Sequence, residues 1–390
     1  MRRSSSWTLT ACVAAALVAA LFAVRTGPSV DDVHAGDGDV AVPEEPAVDP
    51  WAAPQGVTPY ATRYVRFETL GVADGLPSER VTCVVAEGDD LYVGTDAGVA
   101  LRRGGTWSVV GEQQGLAHRY VTSLARDPVT DTTWVSTLRG LSRISGGDVR
   151  TYTQQGSGLA NDLVYHCVVD GRLVWCGTGA GLSVLDTESG TWSLHDTGNS
   201  IMHEPWCYAV AVGPQRGWVG LWGGGIVEID RRTGRWREYR DPDGEMEIDL
   251  LADDGPIHEV SSFVAYADGL LWQTTYFGVS RYDGRRWRSF TQADSGMPGD
   301  FVTHVAAHGR AAWFATDQGL GVFDDAGCVA YRRNADGTCT VRVTRPGAEV
   351  ETTTLATAPG DDYVLWTHPR ERDVWIATGH GLSHGIAADR

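Results

Sequence analysis

One motif recurs seven times along the chain. Each copy has a short apolar run with an aromatic residue, a polar turn, a Gly and a second apolar run. The copies are LYVGTDAGV (91–99), TWVSTLRGL (133–141), VWCGTGAGL (174–182), GWVGLWGGGI (217–226), LWQTTYFGV (271–279), AWFATDQGL (312–320) and VWIATGHGL (374–382). They recur at intervals in the low forties with two longer gaps, so we interpret the chain as a repeat architecture.

Each repeat predicts four β-strands. A segment such as VWIAT is apolar on both faces, which favours a strand buried between packed sheets. The T-x-x-G that follows predicts a tight hairpin, because its Gly can adopt the positive φ that such turns need. A third strand comes next, then a fourth that opens with an aromatic residue, and an apolar first strand precedes each copy. Seven four-stranded units predict an all-β fold, a seven-bladed β-propeller.

The segment DGLPSERVTCVVAEGDDLYVGTDAGVALRRGGTWSVV resembles the two-component regulator propeller repeat. The pattern continues in GLAHRYVTSL, GLANDLVYHC and SGMPGDFVTHV and covers residues 62–390. The fourth repeat departs from it, with Leu221 at the motif Thr and one extra residue. The resemblance implies an extracytoplasmic sensor-type domain that binds a ligand or a partner protein. Because one fold supports many functions, the resemblance is stronger support for the fold than for the function.

The last repeat contains strands two and three of a unit and no fourth strand. A matching strand stands at the other end of the repeat region, in YVRFETL (Tyr64–Leu70). We predict that it completes the seventh blade and closes the ring, since closure removes an exposed sheet edge.

The first residues predict export. Residues 1–25 combine Arg2 and Arg3 with a dense apolar run, which is typical of a signal peptide or an N-terminal membrane anchor. The uncharged stretch 4–24 is long enough to span a bilayer, so cleaved signal and anchor both remain open. Residues 26–61 are rich in Pro, Gly, Asp and Ala and predict a disordered linker before the propeller at 62–390. The protein is therefore expected in the periplasm or outside the cell, with membrane contact through the N-terminal segment alone.

Charge excludes some classes of function. The net charge is −18, so binding to nucleic acid through a basic surface is not expected. The sequence contains no Lys. Lysine-nucleophile chemistry is also excluded. The chain lacks the GxSxG, HExxH, SxxK and P-loop motifs. We therefore expect a non-catalytic binding, sensor or protein-interaction module; a structural scaffold of an envelope assembly is an alternative.

The candidate ligand-binding residues lie on one face of the predicted propeller. By the geometry of the family, the T-x-x-G turns and the interblade loops share that face. They would bring polar and aromatic side chains to the mouth of the central channel. The candidates are Glu79, His118, Arg139, Asp162, Glu204, Trp206, Trp222, His258, Glu259, Tyr276, Asp300, His304, Asp362 and His380.

Two interpretations of these residues remain open. Carboxylates at the channel mouth or in the acidic segment 241–254 suit Ca²⁺, and imidazoles suit a transition metal. Alternatively, Asp and Asn side chains bond to loop backbone N–H groups, as is common in turns. The histidines lack metal-ligand spacing, so no metal or other cofactor is assigned.

An enzyme is the alternative function. The virginiamycin B lyase group is a seven-bladed relative in fold that uses His and Glu from one propeller face. His258 with Glu259, or His203 with Glu204, could form such a pair, and a His within hydrogen-bond reach of a carboxylate would favour it.

Six cysteines follow the N-terminal segment. In an exported protein, Cys328 and Cys339 flank a predicted hairpin and are the first disulfide candidate. Cys167 and Cys176 are a second candidate pair, with buried free thiols as the alternative.

Overall fold

The computed structural model describes residues 57–240 and 255–388. These residues form seven antiparallel sheets arranged as the blades of a β-propeller. The innermost strand of each blade contacts the innermost strands of both neighbouring blades, which closes a ring around a central channel. The predicted seven-bladed fold is therefore confirmed.

Blades 1 to 3 follow the sequence repeat without change and run outwards in chain order. Blade 1 consists of β2 (Val81–Glu87), β3 (Asp90–Thr95), β4 (Gly98–Arg103) and β5 (Thr106–Val110). Blade 2 consists of β6 (Val121–Asp127), β7 (Thr132–Thr137), β8 (Gly140–Ser145) and β9 (Asp148–Tyr152). Blade 3 consists of β10 (Val164–Asp170), β11 (Leu173–Thr178), β12 (Gly181–Asp186) and β13 (Trp192–His195).

Blades 4 and 5 have the same order with shorter outer strands. Blade 4 consists of β14 (Cys207–Val212), β15 (Arg216–Leu221), β16 (Ile226–Asp230) and β17 (Trp236–Tyr239). Blade 5 consists of β18 (Phe263–Ala267), β19 (Leu270–Thr274), β20 (Val279–Tyr282) and β21 (Trp287–Phe290). The acidic segment 241–254 between them lies outside the described residues.

Blade 6 is larger than predicted. Its strands are β22 (Val302–His308), β23 (Ala311–Thr316), β24 (Gly319–Asp324), β25 (Gly327–Arg333), β26 (Cys339–Thr344) and β27 (Glu351–Leu355). The four predicted strands are present in every blade, and in blade 6 two further strands extend the sheet beyond them. The residues of the long gap between the last two motif copies form the extra pair β26–β27 at the outer edge.

Blade 7 is completed from the N-terminal side, as predicted. It consists of β28 (Val364–Pro369), β29 (Asp373–Thr378), β30 (Gly381–Ile386) and β1 (Arg66–Leu70). The outer strand β1 pairs antiparallel with β30, so that Phe67 stands opposite Gly385. The segment between blades 6 and 7 supports this closure, because Thr357 accepts a hydrogen bond from the backbone N–H of Phe67 (2.8 Å). The ring thus closes without a free edge on β30.

The aromatic residue of each motif copy is an anchor between blades. Tyr92 and all six tryptophans of the set are buried, with at most 6% of their surface exposed. The set is Tyr92, Trp134, Trp175, Trp218, Trp272, Trp313 and Trp375. Because replacing a buried Trp by Ala costs about 3–5 kcal/mol, these residues hold the blades together.

The T-x-x-G turns are stabilised by their Thr. In blade 3 the hydroxyl of Thr178 donates to the carbonyl of Gly181 (2.7 Å) and accepts from the N–H of Ala180 (3.2 Å). Gly181 has a φ of 115°, which L side chains rarely adopt. In blade 4, where Leu221 replaces the Thr, the backbone N–H of Leu221 donates to Gly225 instead (2.9 Å).

The first disulfide prediction is wrong. Cys328 is the second residue of β25 and stands opposite Thr344, whereas Cys339 is the first residue of β26 and stands opposite Arg333. The hairpin register therefore places the two residues at opposite ends of the strand pair, roughly 15 Å apart at the usual rise per residue. A disulfide needs Cα atoms less than about 7 Å apart.

The second candidate pair is adjacent but unbonded. Cys167 and Cys176 are direct cross-strand partners in blade 3. Both are free, buried thiols, as are the other four described cysteines. Burial raises the pKa of Cys167 to about 11, so this thiol remains protonated.

The predicted N-terminal segments 1–25 and 26–61 lie outside the described residues, apart from 57–61. Within the described ranges, no helix is long and apolar enough to cross a membrane.

Candidate functional site

A cavity of about 290 Å³ lies at the end of the central channel where the first strands begin. Each first strand starts where an interblade loop ends. The second strand is antiparallel to the first, so the T-x-x-G turn that follows it lies on the same face as the interblade loop. All seven blades, with the residue before blade 2, contribute to the lining. The lining residues, which we call the aromatic cup, are Thr82, Tyr120, Val121, Thr122, Tyr165, Tyr208, Ser262, Phe263, Tyr276, Thr303, Leu365 and Trp366.

A β-bulge repeated in six blades builds this lining. In blade 3, Val164 pairs with Thr178 and His166 with Gly177, so Tyr165 is an extra residue without a partner. Bulges bend a strand and change the direction in which a side chain points. Every bulge residue lines the cup; the set is Thr82, Thr122, Tyr165, Tyr208, Thr303 and Leu365.

Short side chains at these positions link neighbouring blades. The hydroxyl of Thr122 in blade 2 donates to the carbonyl of Val164 in blade 3 (2.6 Å). Thr303 in blade 6 bonds to the carbonyl of Val364 in blade 7 in the same way (3.2 Å). In blade 5, Ser262 makes the equivalent bond to Val302 (2.5 Å) without a bulge. Tyr165 and Tyr208 are too long for this role, and their rings line the cavity instead.

Five aromatic rings form a continuous arc around one side of the cup. Tyr165 stacks on Tyr208, with ring centroids 4.3 Å apart, and Tyr208 stacks on Trp222 at 5.0 Å. Trp222 contacts Tyr276 edge-on at 5.5 Å, and Tyr276 stacks on Phe301 at 4.3 Å. Such pairs stabilise each other by about 0.5–1.5 kcal/mol beyond their burial. The arc therefore has a fixed shape before any ligand binds.

The phenols of the arc remain protonated. Burial, with smaller contributions from the phenols of Tyr363 and Tyr165, raises the pKa of Tyr276 to about 12. Burial likewise raises the pKa of Tyr208 far above its usual value, with Tyr165 and Tyr276 adding to the shift. These hydroxyls therefore remain un-ionised groups that can donate and accept hydrogen bonds at neutral pH.

A plug of aromatic and imidazole rings closes the floor of the cup. His304 stacks on Trp366, with ring centroids 3.8 Å apart, and lies 4.4 Å from Phe263. His166 lies 4.6 Å from Phe263 and 5.8 Å from Trp366. Burial lowers the pKa of both histidines, to about 3 for His166. His304, a predicted ligand residue, is thus a buried neutral part of the floor with only 3% of its surface exposed.

Four predicted acidic residues bond to loop backbone. Each accepts a hydrogen bond from a backbone N–H in the loop or strand end that leads into it. The pairs are Glu79 with Val72 (3.0 Å), Asp162 with Gln154 (2.7 Å), Asp300 with Gln292 (2.5 Å) and Asp362 with Arg333 (2.6 Å). These contacts match the loop-capping alternative. Glu259 holds a neighbouring turn through its backbone carbonyl, which accepts from Gly225 (2.8 Å).

The histidines considered for catalysis do not form the expected pairs. Nδ1 of His258 accepts from the N–H of Val260 (3.0 Å), and its ring contacts Phe277. Nε2 of His203 pairs with Glu238 (3.1 Å) rather than with Glu204. Neither His258 with Glu259 nor His203 with Glu204 therefore forms the His–carboxylate pair that the enzyme alternative considered. His258 is instead hydrogen-bonded to the backbone of Val260, and His203 to the side chain of Glu238.

A different His–carboxylate pair is present. Nδ1 of His380 lies 2.6 Å from Asp361 Oδ2, and its side chain is 67% exposed. The backbone N–H of neighbouring Gly379 donates to the carbonyl of Tyr363. The pair therefore lies on the loop face, although neither residue lines the cup.

The remaining predicted residues are divided between the arc and the rim. Trp222 and Tyr276 belong to the arc. His118 accepts from the N–H of Tyr120 through Nδ1 (3.1 Å) and holds the loop before blade 2. Arg139 is exposed in its turn and Trp206 is half-buried. In the described ranges, no three His, Cys, Asp or Glu side chains are grouped so as to hold a metal ion.

Sequence reasoning missed most of the cup. Tyr165, Tyr208, Phe263 and Trp366 were not among the candidates. The available signal was position, because Tyr165 and Tyr208 each directly follow the first residue of the first strand in their repeat. Only a bulge at that point makes the position face the channel, and the repeat pattern does not show bulges.

Solved structures resemble this fold. The extracellular domain of a putative hybrid two-component system from B. thetaiotaomicron superposes with a TM-score of 0.63 at 15% identity, covering 84% of this chain and 42% of that one. A second such domain from B. thetaiotaomicron has a TM-score of 0.60 at 14% identity, covering 84% and 40%. The chain shares its fold with these extracellular domains. It spans about two fifths of their length.

Virginiamycin B lyase from Staphylococcus aureus is also similar in fold, with a TM-score of 0.56 at 13% identity. That likeness covers 83% of this chain and 99% of the lyase. No protein-family model and no curated protein matches the sequence. At these identities the structural likeness shows the fold alone.

Proposed function

We propose that this chain is an exported, non-catalytic binding module whose aromatic cup holds the ligand or an inserted group of a partner protein. The observation that carries the proposal is the bulge series, which directs one side chain from each of six blades into a single cavity. Concave, mostly apolar cavities with a few polar groups are the usual form of ligand sites.

Two further observations support export. Residues 1–25 have the pattern of a signal peptide or anchor. Proteins with the same fold include extracellular domains of two-component systems. A phosphatase that folds only outside the cytoplasm, fused after Arg390, should be active with the full chain. It should be inactive when residues 2–25 are deleted. Equal activity of the two fusions would contradict export.

Binding at the cup can be tested with a fragment library and ligand-observed NMR. Fragments that bind the wild type should lose their signal in Tyr165→Leu and Tyr208→Leu. They should keep it in Phe277→Leu, which removes an exposed aromatic on the same face that does not line the cup. Hits that survive both Tyr substitutions, or no hits at all, would contradict a ligand site in the cup.

An enzyme is the second candidate, and the His380–Asp361 pair is the observation that favours it. A carboxylate that orients an exposed imidazole is an arrangement suited to general base catalysis. If such catalysis occurs, turnover of a substrate should fall at least about 100-fold in His380→Ala, a typical contribution of a general base. Binding of the same substrate to the cup should remain. Unchanged turnover would exclude this role for His380.

A further inference from the structure

The cup has polar atoms but no charged lining. Its inner surface consists of six aromatic rings, hydroxyl groups and aliphatic side chains. Three of the hydroxyls, on Thr122, Ser262 and Thr303, are already bonded to backbone carbonyls. The groups left for a ligand are therefore mainly ring faces, ring edges and phenol oxygens.

Within the described residues, the rings of the arc that line the cup differ in how far other rings cover them. Tyr208 is covered on both sides, by Tyr165 at 4.3 Å and by Trp222 at 5.0 Å. In the described part of the chain, no ring stacks on the second face of Tyr165. Tyr120, which also lines the cup, has no stacking partner in that part either. The cup can thus offer aromatic faces as well as phenol oxygens, and both carry negative electrostatic potential.

A carboxylate lies beside this side of the cup, because Glu204 accepts a hydrogen bond from the backbone N–H of Gly223, next to Trp222 of the arc. The charge of Glu204 acts on the phenols of both Tyr165 and Tyr208. Burial raises the pKa of Glu204, and the neighbouring Glu259 raises it further. Arg240 is the nearby cation, and it is bonded to Glu238 (2.7 Å). In addition to Arg240, a positive charge bound in the cup would reduce the repulsion between the carboxylates of Glu204 and Glu259.

On the opposite side of the cup mouth, charges of both signs are present. Asp317 and Arg80 both act on the phenol of Tyr363, with opposite signs. The chain as a whole has a net charge of −18. A cleft with apolar walls concentrates the field of nearby charges, so the potential in the cup favours a cation.

We propose that the aromatic cup binds an organic cation, specifically an alkylated ammonium group, against the rings of Tyr165 and Tyr276 and the phenol oxygen of Tyr208. This inference rests on the proposed function and names its ligand class. Aromatic rings attract ammonium groups by about 0.5–2 kcal/mol each, and most when the pair is removed from water. A carboxylate-bearing ligand would instead approach Glu204 and meet repulsion.

Alkylation of the ammonium is part of the proposal. A primary ammonium is strongly hydrated and needs three acceptors when it leaves water. Methyl groups replace those donors with apolar surface that packs on rings and on Leu365 and Val121 in the cup wall. A trimethylammonium group with a short chain also fits within about 290 Å³.

Three soluble probes of nearly equal shape separate charge from size. Choline carries the cation, 3,3-dimethylbutan-1-ol replaces its nitrogen by carbon, and 3,3-dimethylbutanoate carries a negative charge. We expect choline to bind the full chain at least about tenfold more tightly than the alcohol, corresponding to about 1.4 kcal/mol. The anion should bind more weakly than both. Titrations followed by ligand-observed NMR and by tryptophan fluorescence measure the three affinities.

Two variants assign the preference to named residues. Glu204→Gln should reduce choline affinity several-fold and leave the alcohol unchanged. Tyr165→Leu should weaken choline and the alcohol together, whereas Tyr165→Phe keeps the ring and should retain most of the binding. Phe277→Leu is the matched control and should bind all three probes as the wild type does. Thermal unfolding of each variant verifies that it is folded.

The outcomes are distinguishable. Equal affinity for choline and the alcohol, or tighter binding of the anion, would overturn the cation proposal and leave a binding cup in place. Fragments that bind in the cup while choline does not would likewise overturn the cation proposal and leave the binding cup in place. If neither fragments nor probes respond to the Tyr165 and Tyr208 substitutions, both the cation proposal and the binding cup are wrong.

Discussion

The indole Nε1–H of Trp313 in blade 6 donates a 2.7 Å hydrogen bond to the hydroxyl of Tyr64, just before the closing strand β1. The same hydroxyl donates to the carbonyl of Ala61 (2.9 Å). The backbone N–H of Tyr64 bonds to the hydroxyl of Tyr331 (2.8 Å). Tyr64, which precedes the closing strand of blade 7, is thus hydrogen-bonded to the anchor Trp of blade 6.

Replacing Tyr64 by Phe should weaken this closure. The change leaves the Trp313 N–H without its acceptor in a buried site, which costs about 1–3 kcal/mol. Urea unfolding measures the loss, with Val65→Ala as the control because Val65 is 47% exposed and should change stability little. Deletion of residues 62–71 should prevent stable folding. A truncated protein that unfolds at the wild-type urea concentration would show that the closing strand does not stabilise the ring.

The buried histidines predict acid sensitivity. The N–H of Val210 donates to Nδ1 of His166 (3.1 Å), and burial lowers the pKa of His166 from 6.5 to about 3. Below 6.5 the unfolded chain binds a proton here that the folded protein does not. Stability should therefore fall as the pH falls from 6.5 towards 3, by up to about 1.4 kcal/mol per pH unit for this residue.

The variant His166→Asn isolates that contribution. An Asn amide oxygen can take the place of Nδ1 as acceptor and does not titrate. Its free energy of unfolding should depend less on pH between 4 and 6 than that of the wild type, by about 1 kcal/mol per pH unit. Identical pH dependence in the two proteins would mean that His166 is protonated equally in the folded and unfolded states.

Replacing a turn glycine by alanine should lower the stability of the protein by an amount that depends on the position. At Gly181, φ is 115° and an added Cβ would overlap the carbonyl oxygen of His195. We expect Gly181→Ala to destabilise the protein by roughly 2–4 kcal/mol. Gly171 has a φ of 56° with open space around it, so Gly171→Ala should cost only about 1 kcal/mol. Calorimetry can compare the two, and equal losses would contradict the steric explanation.

The cysteines should be reduced and unreactive in the folded protein. Burial raises the pKa of Cys83 to about 12 and makes its thiolate unfavourable. In a Cys12→Ser variant, which removes the cysteine outside the described residues, a thiol reagent should label the native protein slowly. It should label all six remaining cysteines after unfolding. Peptide mapping that found Cys328 bonded to Cys339 would contradict the strand register of blade 6.

The sequence by itself determined the ring. Seven motif copies with aromatic anchors specify seven blades, because each unit buries its apolar faces only by packing on neighbours. The completion of blade 7 by β1 (Arg66–Leu70) also followed from the sequence, since an unpaired strand at one end matched a missing strand at the other. The loop-capping alternative for Glu79 and Asp162 was likewise foreseeable from turn chemistry.

Only the tertiary structure decided where the site lies. Tyr165 and Tyr208 occupy positions that alternation would assign to either face of a strand, and the bulges turn them into the channel. The strand register separated Cys328 from Cys339, and the extra hairpin of blade 6 was hidden in a long gap. Hydrophobic periodicity reports which residues are buried within a blade. The direction of a bulged side chain depends on how neighbouring blades pack, which is a contact between distant parts of the chain.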